Sequence, residues 1–170
     1  MEELPLDFQP ILKALIDSNI RFVLIGGLAM VTRGSDHVTQ DIDICYARDA
    51  ENLTRLSDTF NAHNVRLRGV PKDLPFIFDP RTLQNARNLT LDTDLGAVDI
   101  LGEPAGVDTF EGLWERSEVI GIYGLAVHVA SIADLLSMKR AANRPKDQNH
   151  ILELIELQKL RQTPDSETQQ

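Results

Sequence analysis

Cysteine is almost absent from this chain of 170 residues. Its single copy, Cys45, excludes an internal disulfide and any cysteine-built metal cluster, and beside an apolar strand it is expected to be a small buried residue. Aromatic residues are few, at 5%, so Trp114 and the phenylalanines are assigned to the core. Basic residues are outnumbered, seventeen against twenty-six acidic, for a net charge of -9. That balance is no general nucleic-acid footprint, although a local basic patch can still hold a polyanion. No apolar run approaches the roughly 20 residues needed to span a bilayer, so no membrane partner is expected. The opening MEELPLDFQP is acidic and lacks a basic region followed by a long apolar run. A signal peptide is therefore not expected, and the localisation expected is cytoplasmic.

What is present is an ordinary globular composition, 42% hydrophobic and 25% charged. The length suits one domain, expected over residues 1–162, followed by a polar, disordered tail over 163–170. The most informative stretch is 22–45, FVLIGGLAMVTRGSDHVTQDIDIC. A short apolar run breaks at Gly26-Gly27 and reads as a buried strand entering a helix. The alternation Asp41-Ile42-Asp43-Ile44 reads as a second strand with one apolar face.

Residues at i and i+2 of a strand share a face roughly 7 Å apart, so the carboxylates of Asp41 and Asp43 can converge. Two unit charges about 4 Å apart repel by roughly 4 kcal/mol at an effective dielectric of about 20. A divalent cation offsets this, and hard oxygen ligands select Mg²⁺ or Mn²⁺, commonly together with substrate phosphates. Gly26 and Gly27 then present bare backbone N–H groups to an anion. A surface strand alternating acid and Ile looks the same in isolation. A dinucleotide-binding fold requires Gly-x-Gly-x-x-Gly, and an EF-hand requires a loop glycine missing here.

The set Gly26, Gly27, Ala29, Gly34, Thr39, Asp41 and Asp43, seven positions within eighteen residues, resembles the minimal nucleotidyltransferase signature of the DNA polymerase beta-like superfamily. In many members the position matching His37 is Arg and that matching Arg33 is His. The run 139–147, Lys-Arg-Ala-Ala-Asn-Arg-Pro-Lys-Asp, resembles a C-terminal motif of small bacterial members, relatives of toxin-antitoxin nucleotidyltransferases among them. The resemblance implies an α/β (α+β) fold with a small mixed, mostly antiparallel sheet flanked by helices. It also implies a third carboxylate from a neighbouring strand. We assign this to Asp99, which lies mid-strand between Val98 and Ile100, where an unpaired acid would be costly. Asp92 and Asp94 lie nearer a turn and are secondary candidates.

Along the rest of the chain, apolar spacing and end signals predict helices over 7–18, 28–33, 49–63 and 110–116, the last burying Trp114. Ser131 is expected to cap a helix to about Ala142, and Asp147 a final one with an apolar stripe of Ile151, Leu154, Ile155 and Leu157. Hairpins are expected from 89–93 with 97–101, and from 119–123 with 125–129 as a hairpin or one bent strand. Val65 and Leu67 alternate with Arg66 and Arg68 in a strand with one basic face, followed by an irregular loop over 70–79 and a helical turn over 80–85.

The resemblance implies transfer of a nucleoside monophosphate from a nucleoside triphosphate, ATP by family habit, to an acceptor hydroxyl. Asp41, Asp43 and Asp99 would hold Mg²⁺ or Mn²⁺, with Gly26, Gly27, Thr39, Lys139 and Arg144 on the nucleotide. The cluster Lys139, Arg140, Arg144 and Lys146 could reach triphosphate oxygens or complement a helix dipole in water. Arg66 and Arg68 face the nucleotide or decorate an edge strand, and His37 contacts phosphate or base or is simply exposed. The acceptor is open among RNA, a protein side chain and a small hydroxylated molecule. A rival expectation is a non-catalytic nucleotide-binding or antitoxin-like protein with a cognate partner.

Overall fold

Seven strands form one mixed sheet in the computed structural model, which describes residues 7–162. The expectations for residues 1–6 and for a tail over 163–170 lie outside the described residues. In chain order the elements are α1 (Gln9–Asp17), β1 (Phe22–Ile25), α2 (Gly26–Thr32), β2 (Ile42–Tyr46), α3 (Ala50–Asn61), β3 (Arg66–Leu67), α4 (Pro80–Asn85) and β4 (Asn88–Thr93). They continue with β5 (Gly96–Leu101), α5 (Phe110–Arg116), β6 (Glu118–Ile122), β7 (Leu125–Val129), α6 (Ile132–Ala142), a 3-10 turn (Pro145–Asp147) and α7 (Gln148–Gln162).

The strand order is β3-β4-β5-β2-β1-β7-β6. Pairs β1–β2, β3–β4, β4–β5 and β6–β7 are antiparallel, and β2–β5 and β1–β7 are parallel, which matches the mostly antiparallel sheet implied by the resemblance. The interior strand β1 is buried along its whole length, as its unbroken apolar run requires. Strand β2 alternates Ile42 and Ile44 into the core with Asp43 on the other face. Ile11, Leu12 and Leu15 of α1 and Leu53, Leu56 and Phe60 of α3 complete the same core.

Local chemistry sets the boundaries. Asn19 adopts a left-handed conformation (φ 54°) just after α1, and Asn143 (φ 49°) does so after α6. Asp49 accepts from the Asn52 N–H at 3.0 Å to cap α3, and Ser131 accepts from the Asp134 N–H at 3.0 Å to cap α6. Tyr123 (φ 52°) and Gly124 (φ 75°) both lie at positive φ, the requirement of a two-residue hairpin turn, so β6 and β7 form a hairpin and not one bent strand.

Three expectations are corrected. Trp114 is only half-buried: Leu113 takes the core position, while the indole stacks on His128 at 3.6 Å beneath the Arg21 guanidinium. Asp147 does not lead α7 as a cap, because the 3-10 turn that contains it runs directly into that helix. Its carboxylate accepts instead from Lys139 and Arg144. The basic strand is only two residues long, and Arg68, beyond its end, is not surface decoration. Among the described residues no helix is long and apolar enough to cross a membrane.

Candidate active site

Asp43 and Asp99 are direct neighbours in the register of the parallel pair β2–β5. Their side chains therefore share one face of the sheet, and Asp41, two residues before Asp43, joins them. One carboxylate oxygen from each of the three lies within 4.8 Å of the others, and all three residues are partly buried. The structure thus places Asp99, and not Asp94, beside Asp41 and Asp43. Asp94 is exposed at the β4–β5 turn and accepts from the Asn64 amide.

The glycines answer to the same register. Ile25 pairs with Asp43, so the next residue, Gly26, begins α2 directly over that carboxylate. A Cβ at Gly26 would stand 2.2 Å from Asp43 Oδ2, and the backbone there is left-handed (φ +70°), so only glycine fits on both counts. A Cβ at Gly27 would stand 2.9 Å from Thr39 Oγ1 and from His37 Cδ2. Thr39 donates its hydroxyl to the Asp41 carbonyl at 2.9 Å, which fixes the loop immediately before the acid strand.

Crowded acids perturb one another. Burial, then the charges of Asp41 and Asp99, push the Asp43 carboxyl up to about 7. Asp99 is also raised, by burial and by Asp41, against the opposing pull of Arg68. Arg68 is the cation that the sequence reading left undecided. Its Nη1 lies 3.4 Å from Asp41 Oδ2 and 3.2 Å from Asp99 Oδ1, and its Nε donates to Asp92 Oδ1 at 3.1 Å. Asp99 Oδ1 nevertheless remains a buried acceptor without a hydrogen-bond partner among the described residues. Three carboxylates with no His or Cys among them, one keeping an unsatisfied buried oxygen, suit a hard divalent cation such as Mg²⁺ or Mn²⁺.

These acids line a cavity of about 740 Å³, within the size range of small-molecule sites. Gly26, Gly27, His37 and Thr39 line it from the β1–α2 side, and Lys139, Arg144, Lys146 and His150 from the C-terminal helices. The cavity thus gathers Asp41, Asp43, Asp99, Gly26, Gly27, Thr39, Lys139 and Arg144, the residues expected on metal and nucleotide. Arg140 is not among its lining residues. Asp147, 1% exposed, accepts from Lys139 Nζ at 3.2 Å and from Arg144 Nε at 2.7 Å. Burial raises its carboxyl, but the hydrogen bonds from Arg144 and Lys139 outweigh that and hold it below the usual carboxylate range. The His37 and His150 rings meet edge-on at 4.5 Å, and burial and the Lys139 charge lower His150. Arg33 plays a different part. It is 5% exposed and donates to the carbonyls of Val129 and Ala130, with Glu118 as its ion partner, so it ties α2 to β7.

Residues 8–163 match the model of a family described as a nucleotidyltransferase of unknown function, DUF6036. The chain belongs to this nucleotidyltransferase family. Comparison with curated proteins finds no match. Among solved structures, the chain is similar to ANT(2")-Ia in complex with adenylyl-2"-tobramycin, at 17% identity and a TM-score of 0.56, covering 90% of this chain and 86% of that one. It is similar to the lincosamide antibiotic adenylyltransferase LnuA, lincomycin-bound, at 16% identity and a TM-score of 0.57, covering 87% and 94%. A third is an antigenic nucleotidyltransferase-like protein from Paracoccidioides brasiliensis, at 18% identity and a TM-score of 0.50, covering 90% and 74%. At these identities the likeness establishes the shared fold.

Asp147 and His150 escaped sequence reading as cavity residues, and Arg68 was left open. The only sequence signal for the first two was their proximity to Lys139 and Arg144.

Proposed function

We propose that this nucleotidyltransferase family member is a metal-dependent enzyme that transfers a nucleoside monophosphate from a nucleoside triphosphate to an acceptor hydroxyl, releasing pyrophosphate. The observation that carries this reading is the meeting of Asp41, Asp43 and Asp99 in a cavity that Lys139 and Arg144 also line. Carboxylates and cations lining one cavity match a triphosphate that binds metal at one end and protein cations at the other.

In this scheme Asp41, Asp43 and Asp99 are the residues that would hold Mg²⁺ or Mn²⁺. Held there, the metal would supply charge neutralisation for the phosphates and activation of the attacking hydroxyl. Asp99 accepts the hydroxyl proton as the acceptor oxygen bonds to the α-phosphorus. The bond from that phosphorus to the bridging oxygen breaks, and pyrophosphate leaves towards Lys139 and Arg144. Asp147 holds those two cations in place, Gly26 lets the chain pass close over Asp43, and Thr39 and Gly27 shape the loop beside the phosphates.

ATP is the first donor to test, and a small hydroxylated molecule the first acceptor. The neighbours of this fold include a lincosamide antibiotic adenylyltransferase and a protein in complex with adenylyl-2"-tobramycin, and the cavity has the volume of a small-molecule site. The protein is incubated with each of four α-labelled nucleotides, Mg²⁺ and cell extract, in parallel with Asp43→Ala. Label transfer by wild type alone supports the reading, and no transfer from any nucleotide contradicts it. A second reading is a nucleotide-binding or antitoxin-like protein without turnover. It is favoured by the Arg68 guanidinium already lying beside Asp41 and Asp99, and calorimetry showing nucleotide binding without product would select it.

A further inference from the structure

The contacts of Arg68 are unequal. Nε donates to Asp92 Oδ1 at 3.1 Å and Nη2 to the Leu91 carbonyl at 2.8 Å, so two of its three nitrogens are held by β4. The third, Nη1, is divided between Asp41 Oδ2 at 3.4 Å and Asp99 Oδ1 at 3.2 Å. Both distances exceed the usual 2.7 to 2.9 Å of a charge-assisted hydrogen bond, and Asp99 Oδ1 stays without a hydrogen-bond partner among the described residues. The guanidinium therefore supplies charge to the acid pair while binding firmly only to β4. Its backbone adds a single tether, Arg68 N–H to the Thr90 carbonyl at 3.0 Å, beyond the end of the two-residue strand β3.

Without a counter-charge, carboxylates this close would spread apart or take up protons. Nη1 lies where it can serve as that counter-charge between Asp41 and Asp99, a position that a divalent ligand of the same oxygens would contest. We propose that Arg68 is a positioning residue for the acid cluster: its Nη1 holds Asp41 and Asp99 in place while the protein is metal-free and withdraws when a divalent cation binds, with Asp92 and Leu91 retaining the rest of the guanidinium. The inference rests on the reading of the three carboxylates as a cation site. It adds an internal competitor that sets the affinity of that site and keeps it assembled between turnovers.

The test is calorimetric titration of Mn²⁺ into wild type, Arg68→Met and Arg66→Met. Arg66→Met removes the same charge two residues earlier, but among the described residues the Arg66 guanidinium reaches only the Asn64 carbonyl, at 3.5 Å. Expected are a roughly tenfold gain in Mn²⁺ affinity for Arg68→Met, the scale of two partly exposed ion pairs removed, and no change for Arg66→Met. A merely structural role for Arg68 would lower affinity or leave it unchanged, and either result overturns the proposal. Mn²⁺ binding that is absent from every protein overturns the cation-site reading and this inference together. Equal binding to all three overturns the inference alone. Should Arg68→Met fail to fold, a crystal structure of wild type with Mn²⁺ decides. Nη1 clear of Asp41 and Asp99 with Nε still on Asp92 supports the proposal, and an unmoved Arg68 beside bound Mn²⁺ overturns it.

Discussion

Asp43 and Asp99 face one another across the parallel pair β2–β5, two acids in register at the centre of a sheet, with the Gly26 backbone over the first. Such a pair opposes folding until a cation or a proton relieves it. Asp43→Asn is therefore predicted to stabilise the metal-free protein, raising Tm by about 3 °C. The effect depends on pH. Asp43 has an ordinary value of 3.8 and is pushed up to about 7, so the folded state binds the extra proton between those values. Wild-type stability then falls relative to Asp43→Asn as pH rises from about 4 to about 7, and the gap is constant above that. Thermal melts of both proteins in EDTA across this range check the sign.

Gly26→Ala is predicted to destabilise by about 1 to 3 kcal/mol, measured by urea unfolding, because left-handed backbone strain and collision with a neighbouring carboxylate act together. The Cβ would stand 2.7 Å from Asp43 Cβ as well as 2.2 Å from its oxygen. Asp43→Ala in the same chain should therefore not restore stability fully.

Asp147 is predicted to bear on substrate rather than on chemistry. Asp147→Asn is predicted to raise KM for the triphosphate roughly tenfold with a smaller change in kcat, since Lys139 and Arg144 lose their shared anchor. It should also cost about 2 kcal/mol of stability. The folded-state value of this carboxyl is depressed, so its contribution is present above the ordinary 3.8 and is lost as pH falls through the lower folded value. The stability gap between wild type and variant is expected to close in acid and persist at neutral pH.

Arg33 is predicted to matter for folding and not for catalysis. Arg33→Met leaves the Val129 and Ala130 carbonyls without their guanidinium donor and should cost about 3 kcal/mol in urea unfolding. Activity per folded molecule should stay at the wild-type level.

The parts legible in sequence were those encoded by short-range pattern. The Gly26-Gly27 break, the Asp-Ile alternation of β2 and the apolar flanks of Asp99 each state a local environment, and β2–β5 pairing brings them together. The first hairpin was likewise readable from Asp94-Leu95-Gly96, where turn chemistry is local, whereas the second stayed open between a hairpin and one bent strand around Gly124. Arg68 was not readable, because its role depends on β3 pairing with β4 in the register that sets Arg66 opposite Asp92, and on a long side chain crossing to a third strand. Asp147 looked like a helix cap. Only the reversal at Asn143, which folds α7 back on α6, turns its carboxylate towards Lys139 and Arg144. Trp114 was placed in the core by residue type alone, and the half-open Arg21–Trp114–His128 stack depends on three separate elements.

The most direct test of the central claim is Mn²⁺ binding, followed by electron paramagnetic resonance in the presence of a non-hydrolysable triphosphate analogue, for wild type and for Asp41→Asn, Asp43→Asn and Asp99→Asn singly. The account predicts that every one of the three substitutions weakens Mn²⁺ binding by at least about tenfold, as expected for ligands to one shared ion. Full-strength Mn²⁺ binding after removal of any one of these acids would contradict it.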